Sequence, residues 1–97
     1  MINLEKPYLK LLNSILKKHI PDYTVWIFGS RATEHIKPYS DIDLAIMTQR
    51  PLSVSTMSEL TNALSESDLP YKVDLVDWSR IDDSFKKIIE KQHDVIT

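Results

Sequence analysis

The chain has 97 residues, 42% of them hydrophobic and 27% charged, with a formal net charge of −2 and no cysteine. That length holds at most one domain, residues 1–97, with a modest core. Without thiols there are no disulfides or thiolate metal sites, and without a basic block a dedicated nucleic-acid binder is disfavoured.

From Leu4 to His19, the side chains of Leu4, Tyr8, Leu11, Leu12, Ile15 and Leu16 fall on one helical stripe. Pro7 is tolerated in the first turn, and Pro21 with Asp22 closes the helix. Charges recur through this segment, which reads as neither a signal peptide nor a membrane span, so a cytoplasmic setting is the expectation. Thr24–Phe28 is apolar at nearly every position and predicts a central strand covered on both faces. A short helix or turn is expected over Ser30–His35, and a loop over Lys37–Ser40.

Asp41–Met47 reads as a second strand, with Asp41, Asp43 and Ala45 on one face and Ile42, Leu44 and Ile46 on the other. The Ser- and Thr-rich stretch Thr48–Glu59 suggests a loop feeding a helix that begins near Thr56. Thr56 and Glu59 have capping-box spacing there, and Met57, Leu60, Ala63 and Leu64 form the side to be buried. Tyr71–Val76 predicts a third strand. Ile81, Phe85, Ile88 and Ile89 mark a last helix, and Asp94–Thr97 a short edge strand. The order points to an α/β or α+β domain, a small mixed sheet flanked by helices.

The chemistry concentrates between Val25 and Met47. Carboxylates two apart on a strand point the same way, and with nothing between them they repel. A divalent cation removes that conflict, and Mg²⁺ is held by a few carboxylates together with substrate phosphates. Asp74 lies inside another apolar strand, where an unpaired charge is costly. If that strand adjoins Asp41–Met47, three carboxylates converge and can hold two metals for in-line phosphoryl displacement. Gly29-Ser30, holding the only glycine, ends the first strand before a helix start, so backbone N–H groups and a hydroxyl can face an anion.

Other readings of the same residues fail on their own terms. An EF-hand loop needs an oxygen ligand, a glycine and a glutamate where Ala45, Ile46 and Leu52 stand. The Gly-Lys pair of a phosphate-binding Walker loop is missing. An aspartyl phosphatase has its apolar strand before the Asp-x-Asp rather than after it. Arg31 is read either as a phosphate contact or as a partner of Glu34 on the same turn. Lys72 shares a strand face with Asp74. Asp77 is expected to cap the last helix or face solvent, and His19, His35 and His93 are too scattered to form a ligand set.

"GSR" followed by "SDIDL", with ten residues between Ser30 and Asp41, and then "VDLV" together resemble the nucleotidyltransferase superfamily that includes DNA polymerase beta. The short length resembles its minimal nucleotidyltransferase group, often encoded beside a helical HEPN partner. The resemblance implies that Gly29 and Ser30 hold the β- and γ-phosphates, with Arg31 beside them. It also implies that Asp41, Asp43 and Asp74 bind two Mg²⁺ ions, and that Asp74 helps deprotonate the acceptor hydroxyl. The implied reaction moves a nucleoside monophosphate, AMP from ATP, to a tyrosine of a HEPN-type toxin, the chain serving as antitoxin. Relatives usually read Gly-Ser-Arg-Ala-Arg-Gly, whereas Thr33 and Glu34 occupy the last two positions here. Two alternatives stand beside this one: a non-catalytic binding module of the same fold, and a subunit acting on a small molecule as aminoglycoside nucleotidyltransferases do.

Overall fold

A computed structural model describes residues 2–33 and 40–97. The expected turn at Glu34 and His35 and the loop at Lys37–Tyr39 lie outside the described residues. Helix α1 spans Lys6–His19, with proline in its first turn and Lys17, Lys18 and His19 in its last, where cations suit the helix dipole. Strand β1 (Val25–Phe28) runs directly into a short 3-10 turn, Gly29–Ala32. Strand β2 (Ile42–Ile46), helix α2 (Val54–Ser65), strand β3 (Val73–Asp77), a second 3-10 turn (Trp78–Arg80), helix α3 (Asp83–Lys91) and strand β4 (His93–Val95) follow.

The sheet has the order β3-β2-β1-β4. Strand β1 is antiparallel to both β2 and β4, while β2 and β3 are parallel. The apolar strand is therefore central, and the C-terminal strand forms an edge, as the sequence predicts. Helices α1 and α2 bury Leu12, Leu16, Leu60 and Leu64 against Val25, Ile27, Ile42, Leu44 and Ile46. Helix α3 covers the opposite face through Ile89 and Phe85, over Phe28, Ala45 and Val76. Truncating one of the fully buried leucines to alanine would cost about 2–5 kcal/mol.

Two expectations about caps are corrected. Helix α2 starts at Val54 and is capped by Ser53, whose hydroxyl accepts from the Thr56 N–H at 3.1 Å. The Thr56–Glu59 box gives way because Ser53 sits in extended backbone at the turn into the helix, where a cap must be. Asp77 does not cap α3. Asp82 does, accepting from the Phe85 N–H at 2.8 Å.

Candidate functional site

Phe28 ends β1 in extended conformation, and the chain then turns sharply at Gly29, with φ of +72°. A residue with a Cβ is disfavoured there on backbone grounds alone. The space a Cβ would fill is already taken by Oδ2 of Asp43, with the Asp43 Cγ 3.3 Å from it. The antiparallel register explains the proximity, because Phe28 pairs with Asp43. Gly29 and Asp43 are thus brought side by side by the β1–β2 ladder.

On its other side β2 places Asp43 opposite Asp74 in the parallel register with β3. Alternation along each strand puts both on the α3 side of the sheet, since their neighbours Ile42, Leu44, Val73 and Leu75 pack into the opposite core. Asp41 lies just before β2, exposed. The carboxyl of Asp43 is held above the ordinary carboxylate range, first by burial and then by the negative charges of Asp74 and Asp41. Lys72 acts in the opposite direction, and its Nζ lies 3.5 Å from Asp74 Oδ1.

These residues fit a hard divalent cation. The donors are all carboxylate oxygens, and Asp43 carries electrostatic strain that a cation would relieve. The cage is incomplete by itself: among the described residues no group of three or more His, Asp or Glu side chains is gathered tightly enough to hold a metal ion. Phosphate oxygens of a bound nucleotide are the natural complement. Beside Asp74 and Lys72 a cleft of about 680 Å³ opens between β3 and α2, floored by Leu75 and Met57.

The guanidinium of Arg31 points inward and is 1% exposed. Its Nε and Nη2 both donate to the Ser40 carbonyl, at 3.2 and 2.9 Å, and Nη1 donates to the Asn3 carbonyl at 3.3 Å. The Tyr71 ring lies beneath it at 3.9 Å, and the Glu5 carboxylate stands 3.9 Å from Nη1. A guanidinium so occupied is not available to a phosphate, which revises the nucleotide-contact reading of that side chain. The alternative partner, Glu34, lies outside the described residues.

Asp77, expected to cap the last helix or face solvent, is 6% exposed and caps the 3-10 turn Trp78–Arg80. Its carboxylate accepts from the hydroxyls of Thr48 and Ser79, from the Leu52 N–H at 2.8 Å and from the Ser79 N–H at 3.1 Å. It ties the end of β2, the loop before α2 and the turn after β3 into one knot. The one signal in the sequence is Ser79 two residues after Asp77, the spacing of a local side-chain cap; Thr48 and Leu52 are remote in the chain. Trp26 stacks on His93 with ring centroids 3.8 Å apart and meets Trp78 edge-on at 5.3 Å, so these aromatics support the α3 face.

Residues 10–97 match the family described as "Polymerase beta, Nucleotidyltransferase". The probable protein adenylyltransferase MntA of Haemophilus influenzae is 44% identical over 95 residues, covering 98% of this chain and 83% of that protein. A putative protein adenylyltransferase of Methanocaldococcus jannaschii is 39% identical over 87 residues, covering 89% of this chain and 88% of that protein. Among solved structures, a toxin–antitoxin complex with AMP-PNP superposes with a TM-score of 0.76 at 26% identity, over 92% of this chain and 72% of that chain. A complex of a tri-AMPylated Shewanella oneidensis HEPN toxin with its MNT antitoxin gives 0.73 at 23% identity, over 97% of this chain and 72% of that chain, a likeness of fold.

Proposed function

The chain belongs to the polymerase beta nucleotidyltransferase family, and from that premise we propose that it transfers AMP from ATP to a tyrosine hydroxyl of a HEPN-type toxin, silencing it. The observation that carries this reading is the contact of Gly29 with Asp43 and the register of Asp43 with Asp74. It sets an anion-facing turn against an oxygen-donor cluster. The adenylyltransferase relatives and the AMP-PNP-bound toxin–antitoxin neighbour support the donor and the partner class. No helix among the described residues is long and apolar enough to cross a membrane. We place the pair in the cytoplasm.

Gly29 and Ser30 receive the β- and γ-phosphates, glycine by leaving room for the approach and serine through its hydroxyl and N–H. Asp41, Asp43 and Asp74 would hold two Mg²⁺ ions. When bound, the ions supply charge neutralisation for the triphosphate and the departing pyrophosphate. The acceptor oxygen forms a bond to the α-phosphorus as the bond from that phosphorus to the pyrophosphate oxygen breaks. We assign to Asp74, whose side chain is solvent-exposed, the role of taking the hydroxyl proton. Lys72 keeps Asp74 oriented.

The test is co-expression of the chain with the toxin-like protein encoded beside it, reading the partner's mass and cell growth. Wild type should add nucleotide mass, and Asp41→Asn with Asp43→Asn should add none. Growth protected by both, with no added mass in either case, would replace the enzyme with a covering module of the same fold.

A further inference from the structure

The 3-10 turn Gly29–Ala32 and strand β2 flank the site, and a side chain of the turn is bonded to the backbone just ahead of the strand. Arg31 lies two residues past Gly29, and Ser40 immediately precedes Asp41. We infer that Arg31 is a positioning residue: its guanidinium binds the Ser40 carbonyl and so sets where Asp41 and Asp43 stand relative to Gly29 and Ser30.

Two donors of one planar fork meet a single carbonyl oxygen, that of Ser40. The fork therefore fixes direction as well as distance, which a lysine ammonium on a flexible stem does not. The third nitrogen reaches the Asn3 carbonyl, and the Asn3 N–H returns a bond of 2.7 Å to the Arg31 carbonyl. Asn3 Nδ2 bonds the Thr33 carbonyl at 3.2 Å. The segment before α1 is thereby fastened to the same turn. The cation is buried with one carboxylate at the edge of contact, and its compensation comes from carbonyl dipoles and the Tyr71 ring. Tyr71 is anchored in turn by its hydroxyl, which donates to Glu5 at 2.8 Å.

A buried cation arranged this way has one output at the site, the placement of Ser40 and so of the aspartates that follow it. Small errors in such placement are felt in the chemical step more than in binding.

The decisive variant is Arg31→Lys, studied with the full chain and its partner. Two readouts are taken: amide hydrogen exchange, and the kinetics of AMP transfer. Exchange should quicken at residues 29–31 and 40–43 while β4 stays protected. Transfer should lose about tenfold to a hundredfold in kcat, with KM for the nucleotide held within about threefold. A rise in KM at unchanged kcat would instead mark direct phosphate contact and overturn the inference, as would wild-type exchange at both segments. Only the kinetic readout rests on the adenylyl-transfer reading. If the wild-type chain transfers nothing, that reading fails, while the exchange pattern still decides the role of Arg31. Should Arg31→Lys not fold, Tyr71→Leu removes the ring beneath the guanidinium and is judged by the same criteria.

Discussion

Gly29 and Asp43 share one space: where any other residue at position 29 would carry its Cβ, the Asp43 carboxylate sits. Gly29→Ala therefore acts twice. The backbone at φ of +72° resists a side chain, at about 1–2 kcal/mol. The added methyl also displaces the Asp43 carboxylate. We expect a fall in melting temperature of about 4–8 °C for each kcal/mol lost, together with complete loss of nucleotide transfer. Melting curves and mass spectrometry of the partner read the two effects separately.

Asp43→Asn should do the opposite to stability. Because burial and the neighbouring carboxylates hold the folded carboxyl above its ordinary value, the native state retains a proton longer than the unfolded chain. Ionised Asp43 then costs stability as pH rises from the ordinary carboxylate value through the raised one, and the cost is complete at neutral pH. Asparagine removes it. Urea unfolding at neutral pH should show the variant as stable as wild type or more so, the difference vanishing in acid, while transfer is abolished.

Mg²⁺ and ATP should bind cooperatively. The carboxylates do not form a closed cage, and Mg²⁺ keeps its waters unless phosphates complete the shell. Calorimetry should find weak Mg²⁺ binding to the protein alone and a strengthened response once ATP is present. Tight binding of Mg²⁺ without nucleotide would contradict this site design.

Asp77→Ala should weaken the fold without touching the site. It leaves the Leu52 N–H and the Thr48 hydroxyl without their acceptor, at about 1–3 kcal/mol for a buried group so stranded, while the Ser79 N–H keeps Thr48 Oγ1 at 3.1 Å. The same carboxyl shapes acid unfolding. Burial is the strongest single influence and pushes it up, but the hydrogen bonds from Thr48, Ser79 and Leu52 outweigh burial and hold it below the ordinary range. Its contribution is thus present above the ordinary carboxylate value and lost as pH falls through the lowered one. An Asp77→Asn chain should show a flatter acid limb in stability against pH.

Ser53→Ala should cost about 1 kcal/mol through loss of the α2 cap. Glu59→Ala, at the position the sequence pattern favours for the box, should be nearly neutral because Glu59 is exposed and no cap depends on it. Chemical denaturation of the two variants side by side gives the comparison.

Periodicity and turn chemistry were enough to place three helices and four strands, and to put Asp41 and Asp43 on one face, because those features depend on residues close in the chain. The glycine and the aspartates could be named for the same reason: their chemistry is local. Tertiary structure decided what pairs with what. The ladder fixes Phe28 against Asp43 and Asp43 against Asp74, and a slip of one residue would send the carboxylates to opposite faces. It also turned Arg31 inward to Ser40, Asn3 and Tyr71, and gathered Thr48, Leu52 and Ser79 around Asp77. These partners lie 9 to 40 residues apart in Arg31's case and about 30 in most of Asp77's, and no local pattern encodes a contact that only the closed sheet and its packed loops create.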